Sequence, residues 1–134
     1  MHRSPQGFAL HVLPALLYLV GIFVGGSLPK LPDTGLEFEH LDKLMHLVAF
    51  AGLELLMWRA VRYSWPAGSA RSQLLVSLLA TSGSGALLEV WQGALPARQA
   101  EGLDWVADTL GALLVAVLLW RGGRAAAPDA ARST

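Results

Sequence analysis

Polar and apolar positions along this chain do not alternate; they fall into blocks. Four windows of about 20 residues, the length a helix needs to cross the hydrocarbon core of a bilayer, are dominated by apolar side chains: 8–28, 43–62, 73–92 and 103–120. Backbone groups in lipid must bond within their own segment, and none of the windows has the period of two that a strand requires, so the blocks predict helices rather than a barrel. The expected fold is an all-α membrane protein, a four-transmembrane-helix bundle occupying 1–122. The closing segment RGGRAAAPDAARST is small, polar and proline-interrupted, and the tail 123–134 is expected to be disordered. The first window follows a basic residue and precedes small ones, as a cleaved leader would, but it is long for such a core. Gly21 and Gly25 in it have the GxxxG spacing that suits close helix packing.

Composition agrees with the blocks. Hydrophobic residues make up 54% of the 134 and charged residues only 15%, a balance outside the range of soluble domains. Ten basic and ten acidic residues cancel, so no nucleic-acid partner is implied. With no cysteine there is neither a disulfide framework nor a thiolate metal site.

The placement of the charges says more than their sum. Arg3, the 59–71 connection with Arg59, Arg62 and Arg71, and the C-terminal Arg121, Arg124 and Arg132 lie on one side; Lys30, Lys43 and Arg98 lie on the other. The side richer in Lys and Arg is the cytoplasmic one. Both termini are therefore expected in the cytoplasm and the first and third connections outside it.

That topology collects polar residues at one depth. The second helix carries Asp42, Lys43 and His46 near its outer start, the third reaches Glu89 and Gln92 near its outer end, and the fourth begins with Asp104, Asp108 and Gly111 on one face. Arg98, in the loop between them, is placed to fold back over the set. An ionised group in a membrane helix costs roughly 2.5–3.5 kcal/mol at the centre, so these side chains are expected to face one another. Simple pairing of the four acids with Lys43, His46 and Arg98 could tie the helix ends together, with Asp42 and Asp104 as N-caps. Such pairing is incomplete unless a proton, a metal or a bound cationic group supplies the balance.

Elsewhere, Glu54 in mid-helix is expected to pair with a neighbouring helix or stay protonated, and the run TSGSG at 81–85 to form a packing surface or kink. Trp58, Trp65, Trp91, Trp105 and Trp120 fall near span ends as interfacial anchors. His11 is read as a tolerated helix residue, and Glu37 and Glu39 as solvated loop acids.

The ordered set DKLMH at 42–46, E-x-x-Q at 89–92, P-x-R at 96–98 and D-x-x-x-D-x-x-G at 104–111 resembles the VanZ-like family of small bacterial membrane proteins. The resemblance covers about 42–114. It implies that Asp42, Lys43, His46, Glu89, Gln92, Arg98, Asp104 and Gly111 are the family's motif residues. Asp108 departs from it, standing where the family usually has Asn, and Ala97 stands where a glycine often does. The family's namesake is associated with lowered susceptibility to the glycopeptide teicoplanin, which implies action at the cell envelope, in the bacterial cytoplasmic membrane, and no agreed reaction.

The leading expectation is thus a ligand-binding site of Asp42, Lys43, His46, Glu89, Gln92, Arg98, Asp104 and Asp108 for a lipid headgroup, a lipid-linked cell-wall precursor or a glycopeptide. Lys43 and Arg98 would meet anionic groups, and the acids an amine or a bridging metal. No cofactor is identified, and no metal ligands are assigned. One alternative is an intramembrane enzyme, in which Asp42 and His46 with Glu89 and Asp108 hold a divalent metal or His46 acts as general base. The motifs HExxH, nucleophile elbow and phosphate-cradling loop are missing from the sequence. Transport, with a homo-oligomer supplying the missing walls, is the other alternative.

Overall fold

In the computed structural model, residues 4–29, 39–96 and 98–125 are described, the side chains of 39, 40, 124 and 125 excepted. Among them every regular element is helical: α1 (Pro5–His11), α2 (Leu13–Ser27), α3 (Glu39–Ser64), α4 (Ala70–Gly93) and α5 (Gly102–Ala125). Lys30, Glu37, Arg132 and residues 126–134 of the expected tail lie outside the described residues, while α5 itself continues past 123. Glu39 belongs to α3 rather than to a loop.

Three helices are long and apolar enough to cross a membrane: Leu41–Ser64, Ala70–Gly93 and Gly102–Gly123. The first expected span is instead two helices meeting at 40°. The break has a local cause: Pro14 has no N–H to donate back to the preceding turn, and its ring crowds the carbonyl four residues earlier. Ser4 caps α1 by accepting from the Gly7 N–H, and Pro5 occupies the first turn, where a missing N–H costs nothing. Ser69 caps α4 in the same way through the Ser72 N–H.

Burial is inverted relative to a water-soluble bundle. Leu79 and Val90 are 72% and 71% exposed, in company with many other leucines and valines of α2–α5. The buried stripe of α4 runs Gln73, Ser77, Thr81, Gly85, Leu88, Glu89 and Gln92, steps of three and four that keep it on one face. A fold with its aliphatic side chains outward and its acids inward needs an apolar solvent around it, so the molecule fits a multi-pass membrane protein.

Packing centres on α3, which lies most extensively against α5 and also touches α4, α2 and α1. At the α3–α5 crossing a side chain on Gly111 would overlap the Leu47 carbonyl, so only glycine permits that approach. A small apolar core of Phe50, Leu53 and Leu88 is flanked by Leu19, Ile22, Phe23, Ala49 and Met57. Glu54 is fully buried beside it, accepting hydrogen bonds from Ser77 Oγ and Thr81 Oγ1, both at 2.7 Å. This is the expected pairing with a neighbouring helix.

Gly21 and Gly25 do not form a close contact within the chain: a Cβ on either would meet open space. The tight positions on this side are Gly26, against Leu88 and Gln92, and Gly52, against the Tyr18 hydroxyl. His11 is more than tolerated, since its ring stacks on Tyr63 at 5.0 Å and its Nδ1 accepts from Arg59 Nε at 3.0 Å. These bonds tie α1 to the far end of α3.

Candidate functional site

The start of α3, the end of α4 and the start of α5 converge, and their polar side chains make one nest. His46 is its hub. Its Nδ1 lies 2.9 Å from Asp108 Oδ1, and its Nε2 lies 3.8 Å from Asp104 Oδ2. Lys43, one turn earlier on α3, places Nζ 3.6 Å from Asp104 Oδ1 and 3.5 Å from Glu101 Oε2. Glu89 Oε2, arriving from α4, accepts the Glu101 backbone N–H at 2.7 Å. Of the eight residues expected here, Lys43, His46, Asp104 and Asp108 are joined directly by these contacts, Glu89 is linked to them through Glu101, and Asp42 lies within metal-ligand spacing of His46 and Asp104.

Gln92 and Arg98 behave differently. Arg98 does not close over the acids; its Nε donates to the Gly26 carbonyl at 2.8 Å, and Gln92 Nε2 donates to the same oxygen at 2.9 Å. The last carbonyls of a helix have no intrahelical partner, and a cation is favoured beside them. The end of α2 therefore takes both donors and is pinned to α4, a contact strengthened by Trp91 Nε1 donating to Ser27 Oγ at 2.8 Å.

Asp42 and Asp104 are not N-caps. Helix α3 begins at Glu39 and α5 at Gly102, which puts both acids inside the first turn, and the Asp104 N–H already bonds to the Glu101 carbonyl. Their position still suits the positive end of each helix dipole.

Asp108 is the most enclosed member. It is 0% exposed, and its carboxylate packs against the α4 backbone where a Cβ on Gly85 would come within 2.8 Å of Oδ2. The run 81–85 is thus a packing surface with separate tasks: Thr81 serves Glu54, Ser82 shares a 2.8 Å hydrogen bond with Thr109, and Gly85 admits Asp108. Trp105 Nε1 also donates to the Ser82 carbonyl at 3.1 Å. The reading by depth left Glu101 and Gly26 out of the site and held Gly85 only within the 81–85 packing run. Gly85 is the legible one, lying in the four-residue repeat Gln73, Ser77, Thr81, Gly85, Glu89.

Three buried carboxylate oxygens in the nest accept no hydrogen bond among the described residues: Glu89 Oε1, Asp104 Oδ1 and Asp108 Oδ2. Such groups are ordinarily satisfied when buried, so the nest has spare capacity for a cation or a donor.

Beside the nest, a cavity of about 570 Å³ opens between α2, α3 and the end of α4. Leu17, Ile22, Met45, Phe50 and Leu88 line it, with Asp42, His46 and Arg98 at the end where α2 finishes and α3 starts. Gly21 and Gly25 form part of the α2 wall. A second cavity, about 770 Å³ at the opposite end of the bundle, is walled by Leu55, Trp58, Gln73, Val115 and Trp120. Its polar groups are engaged elsewhere, Arg62 over the Trp58 ring and Gln73 on the Trp65 carbonyl.

No family model, curated protein or solved structure matches this chain.

Proposed function

We propose that this is a VanZ-like protein of the bacterial cytoplasmic membrane that binds an anionic envelope lipid in the groove between α2, α3 and α4. In this reading α1 and α2 act as one bent fourth span, the termini lie in the cytoplasm and the nest faces outward. The supporting observation is the groove itself: an apolar trough of about 570 Å³ ending at Arg98, His46 and Asp42. That volume lies within the range of small-molecule sites. Acyl carbons would lie along Leu17, Ile22 and Phe50, while a phosphate would meet Arg98, whose Nε donates to the Gly26 carbonyl and whose planar fork carries terminal nitrogens suited to an anion.

The test is binding of phosphatidylglycerol, a polyprenyl diphosphate and teicoplanin to detergent-purified protein, with phosphatidylcholine as control. Arg98→Ala should weaken the anionic lipid at least tenfold. Gly21→Trp points a side chain into open space at the groove wall and should block the acyl chain without disturbing helix packing. If both variants bind every probe as the parent does, the groove is not the site. Capture of teicoplanin alone would place the ligand among glycopeptides rather than lipids.

A second reading is favoured by one observation, the 2.9 Å His46–Asp108 pair. A buried carboxylate that orients an imidazole is the arrangement of a general base. Turnover of an envelope lipid that disappears in His46→Gln while lipid binding persists would move the function from binding to catalysis.

A further inference from the structure

Two sets of three side chains bring ligand atoms within 4.8 Å of one another: Asp42, His46 and Asp104, and His46, Glu89 and Asp108. They share His46, and one imidazole presents only one lone pair once its other nitrogen is protonated. Asp108 decides which. It is enclosed between His46 and the Gly85 backbone and holds Nδ1 at 2.9 Å. A buried carboxylate in that position keeps the proton on Nδ1 and leaves the Nε2 lone pair free, the arrangement in which a carboxylate orients a metal-binding histidine.

Nε2 faces Asp104. The separation to Oδ2, 3.8 Å, is too long for a hydrogen bond. Two donors on one ion, each at about 2.0–2.2 Å, sit roughly 3–3.5 Å apart, so a contraction of about half an ångström would bring both onto a single cation. Asp104 is only 3% exposed, and its Oδ1 accepts no hydrogen bond among the described residues. Lys43 approaches no nearer than 3.6 Å. Asp42, one turn before His46 on α3, completes the set. Asp42 and His46 also line the groove, so the remaining coordination positions open onto it.

We propose that Asp42, His46 through Nε2, and Asp104 bind one divalent transition-metal ion, with Asp108 as the carboxylate that fixes the imidazole tautomer. One imidazole and two carboxylates suit ions of the zinc and manganese class. The ion would stand between the acids and any phosphate in the groove, but the site is defined without reference to the lipid, and its failure would leave Arg98 and the groove untouched.

The experiment uses full-length protein without a histidine tag, stripped with chelator in detergent and titrated with Zn²⁺ and Mn²⁺ by calorimetry in the absence of added lipid. Metal content after gel filtration supplies the stoichiometry. One ion per chain is expected. Asp104→Asn should weaken it at least a hundredfold and Asp108→Asn about ten- to a hundredfold, whereas Glu89→Gln should change it less than threefold. Because these variants could lose their fold, the parent protein carries its own check: ¹⁵N-labelled histidine should show Nε2, not Nδ1, shifting on addition of Zn²⁺. No binding below millimolar metal, ligation through Nδ1, or loss in Glu89→Gln with retention in Asp42→Asn would each overturn the proposal.

Discussion

At the scale of single residues, the chain places polar groups where their neighbours can satisfy them and glycines where their neighbours demand room. Thr81→Val is nearly isosteric and removes one of the two donors to Glu54. A buried acceptor left without its donor costs about 1–3 kcal/mol, and thermal unfolding in detergent should register that loss. Ser84→Ala is the matched control, because the exposed Ser84 hydroxyl bonds back to the Ala80 carbonyl of its own helix, and it should leave the melting temperature unchanged. At Gly85, any larger side chain would displace the Asp108 carboxylate from its seat. Gly85→Val should therefore separate Asp108 from His46, visible as a changed imidazole tautomer by nitrogen NMR. A tautomer identical to the parent would show that Asp108 does not set it.

At the scale of elements, two close approaches determine how the helices sit. The α3–α5 crossing depends on Gly111, where a side chain would run into the Leu47 backbone rather than into a yielding side-chain tip. Overpacking of this kind costs roughly 1–3 kcal/mol or more, so Gly111→Val should lower the melting temperature strongly and weaken every nest contact that depends on α3 meeting α5. Gly122, whose added Cβ would meet nothing, should accept alanine at no cost. The α1–α2 bend depends on Pro14. Replacing it with leucine restores the missing donor and should straighten the pair, pulling His11 from the Arg59–Tyr63 surface. Spin-label distances between positions 8 and 63 that match the parent would show that the bend is imposed by packing instead.

For the whole molecule, the decisive feature is the inverted burial. Leu79 faces outward from the middle of α4. Leu79→Asp should cost about 2.5–3.5 kcal/mol on insertion and reduce the membrane-inserted fraction measured by alkaline extraction, while the aspartates inside the nest are tolerated. The orientation belongs to this scale too. In the proposed orientation, which rests on the excess of Arg at one end, a cysteine at position 68 should be labelled only from the cytoplasmic side and one at position 98 only from outside. The reverse labelling pattern would turn the nest inward and remove it from contact with outer-leaflet ligands.

Much of this was legible from residue order. Apolar blocks about as long as a bilayer crossing, with no period of two, read as helices because backbone groups in lipid must bond within their own segment, and the rise per residue then fixed the depth at which Asp42, His46, Glu89, Asp104 and Asp108 would lie. Which faces meet was not legible. On α4 the four-residue repeat from Gln73 to Glu89 marks one polar face, but helices apolar on nearly every other side carry no stripe to say which neighbour they meet, so nothing local shows that Ser77 and Thr81 would serve Glu54 or that Gly26, rather than Gly21 or Gly25, is the tight contact. The destination of Arg98 was hidden for the same reason: it answers to the unpaired carbonyl at the end of α2, 72 residues away in sequence. Depth is a one-dimensional property that order along the chain determines; pairing is a three-dimensional one, decided only when Gly111 lets α3 and α5 close together and Gly85 admits Asp108 between α3 and α4.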